Sequence, residues 1–193
     1  MIRPDMMAGT AAAGWSAGAW IALASVFGMS GGASAQVFVR EVKVGVLYHD
    51  VPYIWSGFQL EPKSADLNFE VLFQPSLPFL IGSLRPVLGA TVNTVGATSH
   101  AYADVRWDIL DPAVGLFLAV GAGGAIHNGD LLPDRSDKKA LGSRELLHFP
   151  GEIGWRFDGH NSLSLYFEHT SNAWLSRYNE GLDRLGVRYG YKF

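Results

Sequence analysis

The stretch Asp183-Arg184-Leu185-Gly186-Val187-Arg188-Tyr189-Gly190-Tyr191-Lys192-Phe193 sets the pattern for the chain. From Leu185 onward every second residue is aliphatic or aromatic, and the residues between are Gly, Arg or Lys. Successive side chains of a strand point to opposite faces, so this alternation predicts a strand with one apolar and one polar face. The segment before it repeats the pattern. Leu163, Leu165, Phe167, His169 and Ser171 share one parity, against Ser162, Ser164, Tyr166, Glu168 and Thr170.

Working outward, the same period recurs six more times. The apolar parities are Val42 to Tyr48, Leu67 to Phe73, Leu84 to Val92, Ala101 to Ile109, Val114 to Ala122, and Leu147 to Phe157. Eight strands of about ten residues result, the length a tilted strand needs to cross a bilayer. Short turns at 110–112, 158–161 and around 75–78 alternate with longer loops at 50–65, 93–100, 128–143 and 172–182. Such alternation separates periplasmic turns from extracellular loops in transmembrane barrels.

The polar parity carries charges of both signs: Glu41, Lys43, Asp66, Glu70, Arg85, Asp104, Arg106, Asp108, Glu152, Arg156, Glu168, Arg184 and Arg188, interspersed with glycines. A soluble sandwich would turn these to water. Inside an eight-stranded barrel there is room only for side chains, so they would pair in a filled interior. Closure also leaves no strand edge unpaired in lipid. The aromatic strand ending at Phe193 resembles the assembly signal of bacterial outer-membrane barrels. The fold expected is therefore all-β, an eight-stranded antiparallel up-and-down transmembrane barrel over residues 36–193.

Residues 1–35 read as a cleaved signal peptide: Arg3, a short apolar centre from Trp20 to Phe27, and Ala33-Ser34-Ala35 in the small-x-small pattern of a cleavage site. Cysteine is absent, which excludes disulfides and thiolate metal sites. The net charge of −3 and the lack of a basic block give no sign of nucleic-acid binding. His49, His100, His127, His148 and His160 lie scattered at strand ends and turns without ligand spacing, so neither a metal nor another cofactor is expected. Trp107, Trp155, Tyr191 and Phe193 suit an interfacial aromatic belt.

His169-Thr170-Ser171-Asn172 sits at the long-loop end of the seventh strand, and Asp183 opens the eighth. By parity His169, Ser171 and Asp183 all point outward, where unpaired polar groups cost free energy. Direct pairing of His169 with Asp183 would orient the imidazole, leaving its other nitrogen for Ser171. A serine needs such a base to act as a nucleophile, and the acid fixes the tautomer. Spacing leaves the strand register open, and Glu180 on the following loop is a second candidate acid. Asn172, through its amide, and a backbone N–H in the turn after it are candidate oxyanion donors.

His169-Thr170-Ser171-Asn172-Ala173, followed by Asn179-Glu180-Gly181-Leu182-Asp183, resembles the C-terminal signature of the PagL family of outer-membrane lipid A 3-O-deacylases. The resemblance implies an eight-stranded barrel with a Ser-His-acid triad on its lipid-facing surface, with Ser171 as nucleophile, His169 as base and Asp183 as acid. The best-known form has glutamate at that last position. It further implies Asn172 and the backbone at Trp174 as oxyanion donors, the latter departing from the usual glycine. The implied activity is serine-esterase removal of an ester-linked 3-hydroxyacyl chain from lipid A. The implied location is the cell outer membrane, with the site facing the outer leaflet. Arg135, Lys138, Lys139, Arg144 and Arg177 would together meet lipid A phosphates, and assembly options include a homodimer. The contrasting reading is a non-catalytic small outer-membrane barrel with a structural or surface-binding role.

Overall fold

A computed structural model describes residues 38–56 and 60–193. The expected signal peptide lies outside the described residues. Eight long antiparallel strands form: β1 (Val39–Tyr48), β2 (Ala65–Phe73), β4 (Ser83–Asn93), β5 (His100–Leu110), β6 (Gly115–His127), β7 (Glu145–Arg156), β8 (Asn161–Ser171) and β9 (Leu182–Lys192). The two-residue β3 (Leu77–Pro78) pairs only with the start of β4, inside the proline-punctuated turn. Each long strand pairs with its sequence neighbour, and β1 pairs with β9, so the sheet closes into a barrel. Closure satisfies every ladder without leaving an edge in the hydrocarbon.

Burial follows the expected parity. On β1, Glu41, Lys43 and Leu47 are buried while Val44, Val46 and Tyr48 are exposed; on β8, Ser162, Ser164 and Tyr166 are buried while Leu163 and Leu165 are exposed. All the charged residues assigned to the inner face are buried. They form two ion-pair networks. Glu152 meets Lys43 at 2.9 Å, Arg106 at 2.5 Å and Arg188 at 2.6 Å, and Arg188 also reaches Glu70 at 3.0 Å and lies 3.5 Å over the Tyr166 ring. Nearer the long loops Arg184 bridges Asp66 and Glu168. The inside of the barrel is thus the polar core, and the apolar outer face is what the bilayer solvates.

Trp107, Trp155, Tyr191 and Phe193 gather at the short-turn end, where Phe79 packs edge-on against Trp107 and Tyr191 against Phe193. Trp107 Nε1–H donates to the Ile81 carbonyl at 2.8 Å. An apolar ring face with a satisfied polar tip suits the membrane boundary.

Candidate active site

At the long-loop end the burial pattern of β8 departs from alternation, and residues 168–172 are all buried. His169 and Ser171 still belong to the outward series, yet His169 is only 3% exposed, Ser171 8% and Asp183 0%. The cover comes from the β1–β2 connection, whose Trp55 and Ser56 lie against His169 and Asp183.

Register places His169 directly opposite Asp183. Asp183 Oδ1 lies 2.6 Å from His169 Nδ1, and His169 Nε2 lies 2.9 Å from Ser171 Oγ. A carboxylate on Nδ1 fixes that nitrogen as N–H, so Nε2 faces the hydroxyl as an acceptor. The other carboxylate oxygen, Oδ2, accepts from the backbone N–H of Trp55 and of Ser56, both at 2.7 Å. The Trp55 indole stacks on the His169 ring, centroids 4.1 Å apart and planes 9° from parallel, with Phe149 on the indole at 5.9 Å. Gly181 adopts φ +62°, where a side chain would be strained, and a Cβ there would press on His169 Cε1 at 3.2 Å. An open groove of about 780 Å³ runs over Ser171, lined by Leu147, Phe149, Trp55 and Trp174.

Two side chains take up other work. Glu180, the second candidate acid, accepts from the Ala140 N–H and is not bonded to His169. The Asn172 amide, expected to aim at an oxyanion, donates instead to the carbonyls of Leu141 (2.7 Å) and Tyr178 (2.6 Å), so both its hydrogens brace the loops. Gly142 makes that brace fit: it adopts φ +78°, and a Cβ there would lie 1.9 Å from the Tyr178 oxygen. Beyond Asn172, Ala173 (φ +51°) and Trp174 (φ +63°) are consecutive left-handed residues in a turn closed by Leu175 N–H to Asn172 O at 3.0 Å. Non-glycine residues in that region are strained, and such strain clusters at functional sites.

The loop cations are also engaged within the protein. Lys139 is fully buried and paired with Asp50 at 2.8 Å; Arg135 pairs with Asp137. Arg144 donates to the His127 and Gly129 carbonyls, Lys138 to Gly96 O, and Arg177 lies over Tyr178. Of the group expected from sequence to meet phosphates, Lys139 is withdrawn into the protein, whereas Arg135 and Arg177 remain exposed. The histidines are less scattered than their spacing suggests. His100 and His148 converge on Glu168 within the barrel, their ligand atoms within 4.8 Å of one another. Arg184 reaches both Glu168, at 3.2 Å, and His100 Nδ1, at 2.7 Å. That guanidinium supplies a fixed positive charge where a metal would place its own, so the cluster reads as part of the ion-pair core.

Sequence reasoning missed Trp55 and Ser56. The signal was the apolar run Tyr53-Ile54-Trp55 within a loop, but nothing local says which strand it covers.

A closed barrel with an apolar outer surface and a buried Ser-His-Asp arrangement at its long-loop end defines an outer-membrane barrel of hydrolase type. The family model described as Lipid A 3-O-deacylase (PagL) matches residues 47–192. The chain belongs to the PagL family. No curated protein matches it at significance. Among solved structures, it is similar to the outer membrane enzyme PagL, at 18% identity and TM-score 0.55, covering 78% of this chain and 99% of that one. It also matches the N-terminal β-barrel domain of Pseudomonas aeruginosa OprF, at 13% identity and TM-score 0.49, covering 78% and 97% of the two chains. At 18% identity the likeness to the PagL structure speaks to the fold alone.

Proposed function

We propose that this outer-membrane enzyme is a serine esterase that removes an ester-linked 3-hydroxyacyl chain from lipid A, using Ser171, His169 and Asp183. The observation that carries the reading is the continuous hydrogen-bond line from Asp183 Oδ1 through both nitrogens of His169 to Ser171 Oγ. Family membership supports the substrate class.

Ser171 Oγ attacks the ester carbonyl while His169 Nε2 takes its proton. Asp183 holds the resulting imidazolium without itself being protonated. Collapse of the tetrahedral intermediate expels the sugar alkoxide, which recovers the proton from His169, and leaves an acyl-serine. Water, deprotonated by His169, then releases the fatty acid and restores Ser171. The oxyanion is assigned to backbone N–H groups of the Ala173–Trp174 turn, which borders the groove; one such donor contributes about 2.7–4 kcal/mol to lowering the barrier. The outward parity of the site at the extracellular end lets lipid A reach Ser171 from the outer leaflet without leaving the membrane.

Mass spectrometry of lipid A from cells making the wild-type protein or Ser171→Ala decides the matter. Loss of the 3-O-acyl chain only with the wild type is expected, and equal acylation in both would remove the reading.

A further inference from the structure

The β1–β2 connection is a strap tied at both ends. At its start Asp50 forms the buried pair with Lys139, and Val51 N–H donates to the Asp183 carbonyl at 2.9 Å. At its far end Glu61 accepts from Thr98 N–H (2.8 Å), Thr98 Oγ1 (2.7 Å) and Lys139 N–H (3.2 Å), and lies 3.0 Å from His49 Nε2. Asp50 itself and Tyr53 beyond it hold left-handed backbone at φ +52° and +63°. Non-glycine residues persist there only where the surroundings fix them. Residues 50–56 are therefore held in one conformation, with Trp55 and Ser56 on the acid–base pair.

From this geometry we propose that Trp55 is a positioning residue for the deacylation, acting through the His169 ring; the inference rests on the serine-esterase reading above. The Nδ1–Oδ1 bond fixes one direction of the imidazole but permits rotation about that axis. A parallel indole at 4.1 Å removes the rotation and keeps Nε2 aimed at Ser171. When His169 receives the serine proton, its charge develops against an aromatic face, which attracts cations. The same residue's N–H, with that of Ser56, holds Asp183 Oδ2, so one dipeptide orients both the base and its acid. The indole also replaces solvent or lipid on one face of the ring, in keeping with the burial of His169.

The test uses the full-length protein in detergent micelles, with lipopolysaccharide as substrate, comparing wild type, Trp55→Ala, Trp55→Phe and Ser171→Ala. Heat-modifiable gel mobility reports the folded barrel in each. Trp55→Ala is expected to lower kcat about tenfold, the rate equivalent of one partly desolvated cation–aromatic contact, with a smaller rise in KM because the indole also lines the groove. Trp55→Phe restores most of the loss, because a ring still lies on the imidazole. The NMR signal of the His169 Cε1 proton, shifted by the indole ring current, moves in Trp55→Ala by the loss of that ring current, and by far less in Ser171→Ala, where only the Nε2 hydrogen bond is lost. Wild-type kcat in Trp55→Ala, a loss confined to KM, or a phenylalanine variant as slow as the alanine one overturns the proposal. Should Ser171→Ala keep full activity, the esterase reading falls instead. The proton signal remains independent of turnover, and its failure to move in Trp55→Ala overturns the stack whatever Ser171 does.

Discussion

Asp183 stands directly across the β8–β9 ladder from His169, and its carboxylate divides between two tasks: one oxygen meets the imidazole, the other the N–H groups of Trp55 and Ser56. The short aspartate side chain is thus held from behind. Asp183→Asn keeps the shape but places an amide where an anion must face the imidazolium, and kcat is expected to fall about 10³–10⁴-fold. Asp183→Glu keeps the charge but moves the carboxylate by one methylene against both amides, for a loss of up to about 10²-fold. Steady-state release of the 3-O-acyl chain orders the three as Asp, Glu, Asn. An asparagine variant as active as the glutamate one would refute the orienting role.

The strained turn after Ser171 separates a backbone role from a side-chain role. Trp174 at φ +63° carries a left-handed penalty of about 1–2 kcal/mol that glycine avoids. Trp174→Gly keeps the N–H, so deacylation is expected to persist at or above the wild-type rate while the turn gains resistance to proteolysis. A large fall in kcat would shift the role to the indole and remove the backbone assignment.

The barrel was legible in the sequence because lipid and a filled polar interior impose opposite chemistries on alternate residues. The run from Leu185 to Phe193 could not satisfy both faces in any other strand geometry without exposing Arg188 to lipid. Parity likewise assigned His169, Ser171 and Asp183 to one side. Register was not legible, since a ladder slip leaves composition unchanged; the pairing of His169 with Asp183 came from the fold. Contacts made by loops were the least legible. Trp55 stacks on His169 and donates its N–H to Asp183, 128 residues later in the chain, and the Asn172 amide found carbonyls on two loops that no spacing ties to it. His148 and Glu168 were already on the inward parity of their strands, so tracing that face across β7 and β8 would have revealed part of the interior histidine cluster.

The far tie of the strap makes the site sensitive to acid. Burial raises the Glu61 carboxyl, but hydrogen bonds from His49, Thr98 and the Lys139 N–H outweigh it and hold the group at about 2, below its ordinary 4.5. A carboxylate depressed in the folded state contributes stability that is full above about 4.5 and is lost as pH falls through about 2. The protection factors of amides in residues 49–56, with the intrinsic pH dependence of exchange divided out, are therefore expected to be high at pH 5 and to fall steadily below 4.5. In Glu61→Gln that acid-dependent component disappears and exchange is faster already at pH 5. Identical pH dependence in the two proteins would show that Glu61 does not tie the strap.

Neighbours on β7 test the inside-out arrangement of the barrel. Glu152 points inward to Lys43, Arg106 and Arg188 and accepts from Ser164 Oγ at 2.5 Å, whereas Ile153 points outward and is 46% exposed on the lipid face. Glu152→Gln keeps the volume but leaves three buried cations without their shared anion. Removing one partner of a buried ion pair costs about 3–5 kcal/mol. Ile153→Ala removes apolar surface that detergent or lipid chains can cover in part, for about 1 kcal/mol. In urea titrations followed by heat-modifiable mobility, the Glu152 variant should therefore unfold at far lower denaturant than the Ile153 variant. The reverse order would mean that the apolar parity, not the charged one, forms the packed interior. The extracellular site would then sit on the wrong face of β8 to meet a lipid.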